Sequence, residues 1–338
     1  MTDSSAWLID QRMNDAQRNA LMDSLFSPTQ GIGLNYVRVP MGASDFTASG
    51  FYTYNDLSGG QIDLAQNNFS VSHDEAYIIP RLLQAKGVNP DLRLMGTPWS
   101  APAWMKTNNS LFGGSLETQF HRSYAVYLKK FIDAYTAAGL PIDALSLQNE
   151  PLFNPGNYPS MLMSASQQLD LIKNHVGPVF DASNIDTKLL LYDHNWDNIA
   201  YADQILDDPV ARDFVAGTAF HGYAGNVSAQ GNLHQSHPDK GIYFTEITGG
   251  DFAPNFDDNL VFGVSNIIIG NLRNWGRTAL YWNLALDENY GPHLNGCNDC
   301  RGVVTINSQT GAVEFNEEYY TLAHASKFLE RGAEPVSY

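Results

Sequence analysis

Cysteine is nearly absent from this chain. Only Cys297 and Cys300 occur among 338 residues. That count excludes a scaffold built on several disulfides and a closed four-cysteine metal cluster. The pair forms a C-x-x-C and can either close a local disulfide or stay as two thiols. Zinc would need two further ligands, and His293 is the only candidate close by. A redox C-x-x-C should open a helix after a strand, whereas this one sits among Gly, Asn and Asp. No metal and no cofactor are expected.

Basic residues are scarce too. Nineteen Lys and Arg face 36 Asp and Glu, giving a formal net charge of −17. Nucleic acid and anionic membrane are therefore poor partners, and a neutral substrate fits better. No run of eighteen apolar residues exists, so no transmembrane segment is expected. The opening residues, Met1 to Trp7, carry neither the basic nor the apolar region of a signal peptide. No internal repeat or low-complexity linker interrupts the chain.

What the sequence does contain is a series of apolar runs that end abruptly in polar groups. Leu145-Ser146-Leu147 runs into Gln148-Asn149-Glu150-Pro151, and Gly241-Ile242-Tyr243-Phe244 runs into Thr245-Glu246. Runs of this kind at 34–40, 92–97, 142–147, 188–193, 214–220, 242–245 and 278–284 read as strands. Helix-like segments between them are expected at 3–26, 72–86, 117–138, 164–176, 198–213 and 259–275. Near the C-terminus, a strand at 303–306, a turn at 308–311 and a helix at 317–328 are expected. This alternation indicates βα units and a parallel sheet. A (β/α)8 barrel needs eight strands, but seven are counted and the chain opens on a helix. The missing strand should be the first, leaving two unpaired sheet edges.

In such a barrel the strand ends deliver catalytic groups to one rim. Glu150 and Glu246 each end an apolar strand, as a glycosidase acid/base and nucleophile would. Asn149 is placed to bond a sugar hydroxyl. Other strand ends supply Arg38 with Asp45, Trp99, Asp193-His194-Asn195-Trp196, His221 with Tyr223, and Trp282-Asn283. Aromatic rings stack on sugar faces and polar groups fork onto hydroxyls. Arg38 is read as an ion-pair support for the glutamates.

These residues give the chain a resemblance to glycoside hydrolase family 30, the family of glucosylceramidases and β-1,6-glucanases. The resemblance rests on Arg38-Val39-Pro40, Tyr52-Thr53-Tyr54, the block from Pro98-Trp99-Ser100 to Met105-Lys106-Thr107, Gln148-Asn149-Glu150-Pro151, Thr245-Glu246, Trp282-Asn283-Leu284 and Ser326-Lys327-Phe328. It implies a TIM (β/α)8-type barrel over residues 1–330 that lacks its first strand. It further implies that 331–338 begin a side β-domain of which most is missing. It implies retaining hydrolysis of a β-glucoside, with Glu150 as acid/base and Glu246 as nucleophile. It also implies that Asp45, Trp99, Asn149, Tyr223 and Trp282 line the sugar subsite. His221 is added as a further substrate-binding residue, and Arg38, Asn195, Trp196 and Asn283 as supports. The stretches 192–197, 220–225 and 242–246 resemble the endo-β-1,6-glucanase branch. The alternatives are a glucosylceramidase or exo-β-glucosidase, or an inactive barrel fragment that only binds carbohydrate. By the same resemblance the protein is expected to be secreted or periplasmic.

Overall fold

The computed structural model describes residues 1–334. Six parallel strands form the central sheet: β1 (Tyr36–Met41), β2 (Arg93–Pro98), β3 (Ile142–Ser146), β4 (Lys188–Asn195), β5 (Val215–His221) and β6 (Gly241–Glu246). They pair in sequence order, each with the next. The first six strands read from the sequence are therefore present. They are buried on both faces, as the continuous apolar runs require.

The seventh differs. Residues 276–284 form no continuous strand. They lie beside β6 through single contacts, with Arg277 N–H donating to the Ile242 carbonyl (2.9 Å) and Trp282 N–H to that of Ile247 (2.9 Å). Two short antiparallel strands, β7 (Gly249–Gly250) and β9 (Cys300–Arg301), pair on the rim. A small separate sheet joins β8 (Ala285–Asp287) to β10 (Val304–Ile306), which hairpins to β11 (Val313–Phe315).

The two sheet edges are not left open. Residues 1–5 lie between β1 and the 283–285 segment. The Met1 nitrogen donates to the Arg38 carbonyl (2.6 Å), and Thr2 Oγ1 donates to Asn283 Oδ1 (2.9 Å). Ser5 Oγ bonds the Ala285 carbonyl (2.8 Å).

Several helices are more broken than the periodicity implies. The first splits into Asp3–Arg12 and Asp15–Phe26, because Asn14 and Gln17 form a capping box that starts a new helix. The second splits at Tyr77, giving Ser72–Ala76 and Ile78–Val88. The fifth splits where Asp208 caps Pro209–Phe214. The 164–176 and 259–275 helices contain wider π turns at Ile172–Val176 and Gly263–Gly270. Among the described residues no helix is long and apolar enough to cross a membrane.

The barrel interior is layered. Met95, Ala144, Leu190, Ala219 and Tyr243 form a small apolar cluster, with Tyr36 packed against it. Two residues further along five of these six strands stand Arg38, Thr97, Ser146, His221 and Thr245. Side chains alternate with period two, so these polar residues share the inner face one layer up. On β4 the pairing register slips between Tyr192 and His194. Tyr192 and Asp193 take left-handed φ values of 71° and 63°. This bulge re-aims the chain, so Asp193 rather than Tyr192 enters the polar layer.

Candidate active site

The polar layer is one hydrogen-bonded network beneath the carboxylates of Glu150 and Glu246. Arg38 is buried at its centre. It donates to Asp193 Oδ2 (2.9 Å), Asn149 Oδ1 (2.7 Å) and Thr97 Oγ1 (3.2 Å), and it forms a close ion pair with Glu246 Oε2. Asp193 also accepts from Ser146 Oγ (2.6 Å) and Thr245 Oγ1 (2.7 Å). Bonds from β1 to β4 and β6 are possible only across a curled sheet. Burial alone would raise the Asp193 carboxyl. The Arg38 charge and the bonds from His221 and Ser146 reverse this and hold it far below the usual carboxylate range.

Above this layer stand Glu150 and Glu246. An oxygen of each lies within 4.8 Å of the other. Tyr223 donates its hydroxyl to Glu246 Oε1 (2.9 Å). Glu150 follows β3 with a left-handed φ of 44°, and its N–H donates to the Asp193 carbonyl (3.0 Å). A left-handed carboxylate residue held this way is backbone strain, of the kind that clusters at working sites.

His221 is fully buried between the carboxylates. Its Nδ1 is 3.0 Å from Glu150 Oε1 and its Nε2 is 3.1 Å from Asp193 Oδ1. Burial lowers the imidazole, but the Glu246 charge and the bonds to Asp193 and Glu150 outweigh it and push it up to about 9. Burial likewise raises Glu150, but the His221 bond and charge bring it below its ordinary value. Glu246 goes up, from burial first and then the Glu150 and Asp193 charges, against the pull of His221 and Arg38. In this arrangement the mobile proton rests on His221, one hydrogen bond from Glu150.

A cavity of about 320 Å³ opens over the pair. Asp45, Trp99, Asn149, Tyr223 and Trp282 all line it, as does Asn195, whose Oδ1 accepts from the Tyr223 N–H (3.2 Å). Trp99 and Trp282 stack at 4.7 Å, and the Arg38 guanidinium lies 4.9 Å from the Trp99 ring. Burial, with Glu246 next, pushes Asp45 up to about 8, so it is protonated at neutral pH and able to donate to a sugar hydroxyl.

Three residues named from the sequence stand elsewhere. His221 lies beneath the cavity, not in its lining. Trp196 is buried, stacked on Phe244 (5.3 Å) and donating to Gln230 Oε1 (2.7 Å). Its position one residue past Asn195 turns it into the core. Asn283 faces the 1–5 segment and accepts from Thr2. Sequence reading placed His194 at a strand end without giving it a role, and it lines the cavity at the end of β4; Phe153, Tyr158 and Thr248, on the loops after β3 and β6, were missed. It also left Asp193 unassigned, although it ends an apolar strand. The two cysteines form a disulfide with Cα atoms 5.4 Å apart, and both line the cavity.

A parallel barrel sheet with two carboxylates this close, in a cleft walled by tryptophans, defines a glycosidase-type site. The description "Glycosyl hydrolase family 30 TIM-barrel domain" matches residues 1–329, and the chain belongs to that family of glycoside hydrolases. It is 33% identical to an endo-1,6-beta-D-glucanase of Neurospora crassa, covering all of this chain and 70% of that protein. It is 35% identical to endo-1,6-beta-D-glucanase BGN16.3 of Trichoderma harzianum, covering 94% and 66%. It is 32% identical to the mouse (Mus musculus) lysosomal acid glucosylceramidase, covering 100% and 68%. The solved structure of the endo-beta1,6-glucanase BT3312 superposes with a TM-score of 0.92 at 33% identity, covering 98% of this chain and 75% of that one. The chain thus spans about two thirds of the length of these curated relatives.

Proposed function

We propose that the protein is a retaining endo-β-1,6-glucanase. The observation that carries the reading is the oxygen approach of Glu150 and Glu246 within 4.8 Å. Inverting enzymes hold their carboxyls roughly 6.5–9.5 Å apart to admit a water, and retaining enzymes about 5–5.5 Å. The linkage preference is supported by the similarity to proteins named endo-1,6-beta-D-glucanase.

Glu246, oriented by Arg38 and Tyr223, attacks the anomeric carbon, and the glycosidic C–O bond breaks. The departing oxygen takes a proton from Glu150. That proton reaches Glu150 Oε1 from His221 Nδ1 along the 3.0 Å bond, leaving the imidazole neutral with its remaining N–H on Asp193. Glu150 then accepts a proton from the water that releases the sugar, and the β-configuration is kept. Asp45, Asn149, Trp99 and Trp282 hold the glucosyl ring, with His194 beside them. No cofactor takes part.

Reducing-sugar release from a β-1,6-glucan, with Glu150→Gln as control, tests the reading. Release by the native chain alone supports it. Glucan binding with no release would leave a carbohydrate-binding barrel, a reading against which the intact carboxylate network stands. The mouse relative favours a second substrate, a glucosylated lipid, and half-exposed Phe153 on the rim could meet its apolar tail. Faster turnover of that lipid than of the glucan would select it. Because disulfides persist in oxidising compartments, the Cys297–Cys300 bond supports an extracellular or periplasmic location. Recovery of the activity in the culture medium checks this.

A further inference from the structure

The disulfide belongs to a loop that walls the cavity. This loop leaves β8 and returns as β9, which is clamped from outside. Gly250 pairs with Cys300, Asp251 N–H donates to the Asp299 carbonyl (2.9 Å), and Arg301 pairs with Glu317 (2.7 Å) and Glu318 (3.0 Å). From that base the loop runs across the mouth. Leu294 N–H donates to the Asp45 carbonyl (2.8 Å). Gly296 rests directly on Asp45, and a Cβ there would come 3.0 Å from Asp45 Oδ2 and 3.2 Å from Phe46. Asn295 Nδ2 then donates to the Asn157 carbonyl (2.8 Å), with Asn157 Nδ2 returning a bond to the Asn295 carbonyl (3.4 Å). Asn157 sits on the loop after Glu150, so residues 294–300 bridge from the Glu246 side to the Glu150 side.

Cys300 is buried in the apolar cluster of Phe46, Trp99, Trp282 and Leu286, with Cys297 packed against it. The disulfide thus joins the mouth-spanning loop to the tryptophan pair. A ring closed over three residues of sequence separation restricts the unfolded chain little. Its effect is therefore on local shape.

We propose that the Cys297–Cys300 disulfide is a positioning device for the sugar subsite, fixing the 294–300 loop as the wall that presses on Asp45 and so setting the affinity for the glucosyl ring. This rests on the glycosidase reading above. Breaking the S–S bond by a dithiol, which is itself oxidised to a cyclic disulfide, yields two thiols and frees Cys297 from the buried Cys300. Gly296 then no longer holds Asp45 against the cavity.

The test uses the whole oxidised chain, its Cys297→Ser/Cys300→Ser variant, and the native chain treated with dithiothreitol. Turnover of β-1,6-glucan and calorimetric binding of the glucose mimic 1-deoxynojirimycin are read together. Both breaks should raise KM and the mimic's Kd in parallel, by about fivefold or more, with kcat within about twofold, since the wall holds ground and transition states alike. Reoxidation should restore the native values, and dithiothreitol should leave the variant unmoved. Asn295→Ala, which keeps the disulfide but loses the span to Asn157, should shift KM the same way by less. Unchanged KM and Kd overturn the proposal. So does a loss confined to kcat, which signals only a smaller folded fraction. A native chain that neither hydrolyses the glucan nor binds the mimic overturns the glycosidase reading itself, and this one with it.

Discussion

His221 holds Glu150 with one ring nitrogen and Asp193 with the other, at 3.0 and 3.1 Å. Asp193 accepts only, so the nitrogen facing it carries a hydrogen in either state. The second proton is shared between Nδ1 and Glu150 Oε1. In the proposed mechanism the acid is thus a pair rather than a lone carboxyl.

It follows that the basic limb of kcat/KM against pH should lie near the His221 value of about 9. In His221→Gln, Glu150 must hold its proton alone, and that limb should move down by more than a unit. kcat at neutral pH should fall by about 10²-fold or more. A pH–rate profile of the variant superimposable on the native one would remove His221 from the proton path.

Stability should fall as pH rises through the same window. A group whose pKa is raised in the native state binds more protons folded than unfolded, so its contribution is full below the unfolded value and lost above the folded one. For His221 the window runs from the ordinary 6.5 to about 9, and 2.5 units amount to roughly 3 kcal/mol. Asp45, raised to about 8, acts in the same direction at lower pH. Urea unfolding at pH 6.5 and 9 measures the loss, and His221→Gln should flatten it.

The strands and their terminal carboxylates were legible because burial on both faces forces a continuous apolar run, and the polar group that breaks it marks the rim. Asp193 was not legible as the hub. Plain alternation from Leu190 puts Tyr192 inward, and only the bulge reverses the two. Trp196 failed for the related reason that a residue past a strand end can turn either way. The split at Asn14 was readable, since Asn14 and Gln17 have capping-box spacing, whereas the π turns leave no mark in the periodicity. Residues 278–284 look like a strand because they are apolar, yet their continuation pairs in the small sheet with β10 rather than closing the barrel ladder. The cysteine pairing depended on the loop's shape, which composition does not encode.

Arg38 should not tolerate lysine. Its guanidinium contacts four acceptors at once, on β2, β4, β6 and the loop after β3, and a single ammonium cannot span them. Arg38→Lys should lose activity by about 10²-fold or more through misplacement of Glu246. Arg38→Met, which strands Asp193 and Glu246 without their cation, should also destabilise the fold by roughly 3–5 kcal/mol. Thermal denaturation and glucan turnover on the two variants separate the effects. Lysine activity within a few-fold of native would show that charge alone suffices.

The two glutamates should separate by leaving group. A glucan needs a proton on its departing oxygen, whereas dinitrophenolate leaves 2,4-dinitrophenyl β-glucoside without one. Glu150→Gln should therefore lose about 10³-fold on β-1,6-glucan, the size of a missing acid. It should still form the glycosyl-enzyme from the activated glucoside, giving a burst of dinitrophenolate equal to the enzyme present. Its steady state should then be slow, because no base helps water release the sugar. Glu246→Gln should show neither burst nor turnover, since nothing attacks the anomeric carbon. The burst should scale with enzyme concentration, and the steady state that follows it should be far slower than that of native protein. A burst from Glu246→Gln rather than Glu150→Gln would exchange the two roles. Its absence from both, with hydrolysis persisting, would point to direct attack by water and inversion at the anomeric carbon.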